Sequence, residues 1–226
     1  MTLSGCVVVV AGASKGIGRA IVLRAAADGA SVVINYMSDV KGANALVAQI
    51  GSDRAIAVRA DISKTAEVDE LIEATVARFG RIDVLVPNAA YVPESDLRSV
   101  TEEDFDRAFA VNVKGPCFLA KAGAPRKSLE FGTHAEILPS SQKALPYMQP
   151  GTGAGIRVNA VSPGATSTAS FHKAMDETRV QMIASHNPFN RIAEPDEIAA
   201  AVSVLWGKDS GWISGQVLRA NGGGIV

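Results

Sequence analysis

The chain has 226 residues, 47% of them hydrophobic and 20% charged, with a formal net charge of −1. That length suits one domain with a sizeable core, and that balance excludes a disordered chain. Charges of both signs are interspersed without a basic stripe, which argues against nucleic acid and anionic membrane as partners.

From the N-terminus, CVVVVAG (6–12) is a continuous apolar run, as a strand buried on both faces should be. No basic leader precedes it and the run is short, so neither a signal peptide nor a membrane span is expected. IGRAIVLRAAADGA (17–30) places Ile17, Ile21 and its alanines at helical spacing, with Gly29 positioned to stop the helix. SVVINY (31–36) is the second strand, a helix runs over 39–50, and AIAVRAD (55–61) is the third strand. Val68, Leu71, Ile72, Thr75, Val76 and Phe79 then form a helical stripe, with Ser63 as its expected N-cap. VLVPNAA (84–90) is the fourth strand, and 101–123 reads as a long helix capped at Thr101 and bent at Gly115-Pro116. AEILPSS (135–141) and RVNAVSP (157–163) are the fifth and sixth strands. A helix over 194–207 and a last strand near 215–223 complete the pattern. Alternating strands and helices predict an α/β fold with a parallel sheet covered on both faces. No repeat or linker divides the chain, so one domain spanning 1–226 is expected.

Cys6 and Cys117 lie in apolar segments and are expected to be buried, reduced thiols of a cytoplasmic chain. His134, His172 and His186 lack ligand spacing, so no metal site is expected.

The turn AGASKGIG (11–18) sets Gly12, Gly16 and Gly18 between a buried strand and the start of a helix. Glycines allow a tight turn and close approach of a ligand, and a helix N-terminus offers unpaired N–H groups to a diphosphate. In its strand–turn–helix context this predicts dinucleotide binding. A site for NAD(H) usually ends its second strand with a carboxylate on the ribose 2′-hydroxyl. Here the strand ends Asn35-Tyr36, Ser38 follows, and Asp39 lies too far on. Lys15 within the turn can attract a 2′-phosphate, so NADP(H) is favoured over NAD(H).

These residues resemble the short-chain dehydrogenase/reductase family in its single-domain form, over most of the chain. AGASKGIG is similar to the family's TG-x-x-x-G-x-G turn, with Ala11 in place of threonine. Asp61-Ile62 matches the pair that contacts adenine, and PNAA (87–90) is similar to N-N-A-G, departing at Pro87 and Ala90. RVNAVSPGATST (157–168) resembles the segment that holds the cofactor carboxamide, and 187–223 resembles the family's C-terminal end. The resemblance implies a Rossmann-type doubly wound parallel sheet. It places the cofactor against Gly12, Ser14, Lys15, Gly16, Ile17 and Gly18, and against Tyr36 and Ser38. Beyond these it adds Asp61, Ile62, Asn88 and Ala89, then Pro163, Gly164, Thr166 and Thr168. It further implies that a tyrosinate exchanges the substrate proton, that a lysine four residues on lowers the tyrosine pKa, and that a serine binds the substrate oxygen. An asparagine, here Asn112 in VNVKGP (111–116), holds a water in the proton path.

The family's Y-x-x-x-K should follow the active-site serine on a long helix, and the sequence departs from it. No tyrosine is followed by lysine at that spacing; four residues after Tyr147 stands Gly151. Ser141, at the end of the fifth strand, is the candidate serine, and Lys143 with Tyr147 forms a reversed pair. Pro146 and Pro150 bracket that tyrosine and Gly151, Gly153 and Gly155 follow, at helix costs of ~3 kcal/mol per proline and ~1 per glycine. The stretch 142–156 therefore reads as a loop and gives a shortened crossover between the fifth and sixth strands. One face of the sheet is then expected to be under-covered. The family forms homo-oligomers through the helix missing here, which argues against the usual assembly for this chain.

The resemblance implies an NADP(H)-dependent oxidoreductase that interconverts a small-molecule ketone and a secondary alcohol, with turnover impaired by the altered segment. Two alternatives stay open: a catalytically inactive NADP(H)-binding protein, and an incomplete variant of such an enzyme. The segment 167–186 takes the place of the family's substrate loop, and such loops vary too freely to name a substrate.

Overall fold

Four consecutive valines begin the fold: β1 (Val7–Val10) is buried along its whole length. The computed structural model of the chain describes residues 3–93, 98–123 and 156–224. β2 (Ser31–Tyr36) and β3 (Ala55–Arg59) lie to one side of β1, and β4 (Val84–Val86) to the other, all parallel in the order β3-β2-β1-β4. β5 (Ala160–Pro163) and β6 (Val217–Ala220) form a second parallel pair. The strand expected at 135–141 and the crossover at 142–156 lie outside the described residues.

Helices cover both faces of the four-stranded sheet. On one, α1 (Gly16–Ala27), α2 (Val40–Ile50) and α8 (Pro195–Leu205) pack against Val8, Val10, Val32 and Ile34. On the other, α3 (Thr65–Phe79) and α5 (Gly115–Gly123) cover Val7, Val9 and Val33. Alternate valines of β1 thus enter opposite cores, which explains an unbroken apolar run where a one-sided strand would alternate. Each buried valine contributes about 1.5–3 kcal/mol of transfer free energy. Val161 of β5 joins the core on the α8 side, whereas Val217 and Leu218 of β6 are exposed.

The helix ends show where local chemistry decides. α1 stops before Gly29, whose φ of 101° favours glycine. α2 begins at Asp39, whose carboxylate accepts from the Gly42 N–H at 2.9 Å. The start of α3 corrects the expectation for Ser63. The helix begins at Thr65 with Lys64 at the cap position, while Ser63 donates from N and Oγ to Asp61 Oδ1 in a turn of its own. The stripe predicted for α3 does face inward: Val68, Leu71, Ile72 and Thr75 are buried.

The helix expected over 101–123 is two helices. α4 (Glu102–Phe109) starts in a capping box between Thr101 and Asp104. A π-helical segment, Ala110–Lys114, then joins it to α5. The irregularity falls one turn before Gly115-Pro116, because Pro116 lacks the N–H that would pair with the carbonyl four residues earlier, at Asn112. Cys117 on α5 is exposed, correcting the expected burial; Cys6 is half-buried. The segment after β5 holds two short helices, α6 (Ala169–Ala174) and α7 (Glu177–Ser185). No helix among the described residues is long and apolar enough to cross a membrane.

Candidate cofactor site

The strand order places the functional end of the sheet. β1 leads to β2 on one side, and the chain returns to β4 on the other. A crevice therefore opens beyond the carboxyl ends of β1 and β4, where doubly wound sheets bind their ligands. The glycine turn occupies that point. Gly12 and Gly16 have φ of 65° and 57°. A Cβ at Gly12 would lie 2.7 Å from the Ala89 Cα, and one at Gly18 would press on the Gly12 carbonyl and, at 2.5 Å, on Asn88 Nδ2. No side chain fits at either position without moving backbone. The turn is thereby kept bare at the mouth of α1, whose first-turn N–H groups have no carbonyl of their own to pair with.

Both flanking strands hold the turn. Asn88, after β4, donates from Nδ2 to the carbonyls of Ala11 and Gly12, each at 3.0 Å. Asn35, near the end of β2, accepts from the Gly12 N–H at 3.2 Å. Lys15 stands exposed at the cap position of α1, and Ser14 and Ile17 are partly buried beside it. At the end of β2, Tyr36 is partly buried and Ser38 exposed, and Asp39 is turned to cap α2. Asp61 and Ile62 follow β3, with Ile62 buried against α5, where a Cβ on Gly115 would come within 3.0 Å of Ile62 Cδ1.

The distant C-terminal segment reaches the same place. Thr168 caps α6, accepting from the Phe171 N–H, and a Cβ on Gly16 would lie 3.3 Å from its methyl group. Thr166 is buried and donates to the Gly164 carbonyl, while Gly164 donates to Ala220, extending the β5–β6 ladder past the exposed Pro163. A cleft of about 370 Å³ opens beside this junction, lined in part by Gly16, Arg19, Ser167 and Thr168.

Asn112 lies in the π-helical segment, and its side chain is committed to Tyr91. Its Oδ1 accepts from the Tyr91 N–H at 2.9 Å and its Nδ2 donates to the Tyr91 carbonyl at 2.7 Å. The Tyr91 hydroxyl donates to Asp104 Oδ1 at 3.0 Å, a bond that raises the tyrosine pKa, and Arg107 lies over its ring. Tyr91 is therefore poorly suited to ionise as an acid–base group. Ser141, Lys143 and Tyr147 lie outside the described residues. No group of metal-ligating side chains occurs among the described residues. The sequence reading missed Asn35 as a clamp and Tyr91 as the partner of Asn112. The signal for Asn35 was a lone amide in the buried run SVVINY.

Comparison with known proteins bears on the same segments. Residues 6–137 match the short chain dehydrogenase family model, and residues 147–224 match the model described as Enoyl-(Acyl carrier protein) reductase. An uncharacterized oxidoreductase of Methylorubrum extorquens is 38% identical over 248 positions, covering 98% of both chains. A short chain dehydrogenase from Burkholderia cenocepacia, solved in complex with NADP, superposes with a TM-score of 0.88 at 29% identity over 99% of both chains. A 7α-hydroxysteroid dehydrogenase complexed with NADH and 7-oxo glycochenodeoxycholic acid superposes at 0.86 with 28% identity, covering 99% of this chain and 96% of that one. Likeness at this level extends through both the glycine turn and the C-terminal segment packed on it, so the chain belongs to the short-chain dehydrogenase/reductase family of oxidoreductases.

Proposed function

We propose that the chain binds NADP(H) in the crevice beyond β1 and β4, and that it derives from an enzyme interconverting a ketone and a secondary alcohol. The observation that carries this reading is the bare glycine turn, where Gly12 and Gly18 leave no room for a side chain. A dinucleotide's diphosphate fits that cradle, with Gly12, Ser14, Gly16, Ile17 and Gly18 approaching it through their backbone. Preference for the 2′-phosphate rests on Asp39. Its carboxylate is spent on the Gly42 N–H, leaving Lys15 and Ser38 as the exposed groups near the ribose position. Asp61 and Ile62 would flank the adenine, and Asn88 and Ala89 would support the turn. Pro163, Gly164, Thr166 and Thr168 would hold the carboxamide end. The nicotinamide, when bound, supplies or accepts the hydride.

Asn112 would hold a water through its carbonyl rather than its side chain, since the amide is taken by Tyr91 and Pro116 removes the usual helical donor. Ser141 and the reversed pair Lys143–Tyr147 are the acid–base candidates that the sequence offers, and turnover is expected to be impaired. Losing a positioned acid–base group costs on the order of 10² to 10⁴ in rate.

A second reading, an incomplete variant of such an enzyme, is favoured by one observation. The match to the Methylorubrum relative runs over 248 positions, so at least 22 of them have no counterpart in these 226 residues. The two family matches stop at 137 and resume at 147. Titration with NADPH and NADH, followed by turnover on a panel of ketones, separates the readings. NADPH binding tighter than NADH, with slow turnover lost in Tyr147→Phe, is the outcome expected of an impaired enzyme. NADPH binding without turnover identifies a binding protein or an incomplete variant, and absence of binding to either cofactor rejects the proposal.

A further inference from the structure

Asn35 is 2% exposed in the middle of a parallel sheet, where an apolar residue would carry no desolvation cost. Its side chain meets three backbone groups on two separate pieces of chain. Oδ1 accepts from the Gly12 N–H at 3.2 Å, and Nδ2 donates to the carbonyls of Ala60 at 3.0 Å and Val58 at 3.3 Å. Its own carbonyl accepts from the Ala13 N–H at 2.8 Å. One residue therefore ties the glycine turn after β1 to the chain leaving β3, immediately before Asp61 and Ile62. No backbone ladder can make this connection, because β2 separates β1 from β3. The bond also uses the Gly12 N–H internally, so Asn35, together with Asn88 on the Ala11 carbonyl of the same peptide, sets its orientation without a ligand.

We propose that Asn35 is a positioning residue for the dinucleotide, coupling the diphosphate turn to the adenine-side segment after β3 so that the two halves of the site keep one spacing. This rests on the cofactor site assigned above. A residue that only filled the core would alter stability without linking the two halves.

The test is a double-mutant cycle read as the NADPH dissociation constant, with the melting temperature measured alongside. Asn35→Ala is expected to weaken NADPH binding at least tenfold at a temperature where it remains folded. Leu46→Ala, buried on α2 in the core across the sheet from Asn35, is expected to lower the melting temperature but leave the dissociation constant within twofold. Asn35→Ala and Asp61→Ala together are expected to depart at least threefold from the product of their separate effects. If Asn35→Ala fails to fold, Asn35→Thr, which suits a strand, is measured against the same criteria. Binding within twofold of wild type, or effects that simply multiply, overturns the coupling while leaving the cofactor assignment intact. A wild-type chain that binds no NADPH overturns both.

Discussion

A methyl group at Gly12 would meet the backbone of Ala89 at 2.7 Å in a residue whose φ is 65°, so two independent penalties act on one position. The left-handed conformation alone costs an L-residue roughly 1–2 kcal/mol. Gly12→Ala is accordingly expected to lower the melting temperature by several degrees and to weaken NADPH binding at least tenfold, measured by thermal denaturation and fluorescence titration. Tyr91 shows the opposite case, a conspicuous tyrosine with a structural task. Asp104 holds its proton and Asn112 holds its backbone. Tyr91→Phe should lower the melting temperature only slightly, since one solvent-accessible hydrogen bond is lost, and leave the NADPH dissociation constant within twofold. A large loss of binding would place the hydroxyl in the site instead.

Among the elements, the two ends of the sheet have different tasks. At the amino end of β1, Val7 donates its N–H to Asp83 Oδ2 at 2.9 Å, and Arg81 grips the same carboxylate through both oxygens. Asp83 is 2% exposed, so Asp83→Ala would strand a buried N–H. A loss of about 3 kcal/mol is expected in denaturant titrations. Cofactor affinity should hold, because the turn lies a strand's length away, about 16 Å at the usual rise. The start of α8 supplies a pH dependence. Arg191 donates to both oxygens of Glu197, and the Glu194 N–H adds a third bond, which together lower the carboxyl pKa to about 2 from its ordinary 4.5. With the folded value below the unfolded one, the stabilisation is complete above about pH 5. It is lost as pH falls through the window from about 4.5 to 2. Glu197→Gln should therefore reduce the fall of melting temperature across that window and leave the profile between pH 6 and 8 unchanged.

At the scale of the whole molecule, a ligand that binds the folded chain alone must raise its stability. At a hundred times its dissociation constant the gain is about 2.7 kcal/mol. For a domain of this size that corresponds to about 5–10 °C in melting temperature, which a thermal-shift titration with NADPH reads directly. The gain depends on segments far apart in the chain: Gly12 on Asn35 and Asn88, and Gly16 on Thr168. The second strand pair, β5 and β6, joins this architecture through Val161 and α8, and leaves Val217 and Leu218 exposed.

Much of this was legible in the residues themselves. The valine run of β1, the stripe of α3, the stop at Gly29 and the strand–turn–helix context of Gly12, Gly16 and Gly18 all follow from local rules. Backbone sterics, burial periodicity and helix-end chemistry act over a few residues, so a linear reading can apply them. Tertiary structure alone decided the partners. That Asn35 would clamp the turn, that Asn112 would give its amide to Tyr91, and that Thr168 would pack on Gly16 depend on pairings across 21 to 152 residues. It also corrected Ser63 and Cys117, because a hydroxyl takes the nearest acceptor that the fold offers and a helix face is buried only where another element covers it. Such choices belong to the assembled molecule, where long-range packing outweighs local preference by bringing together groups that the sequence keeps apart.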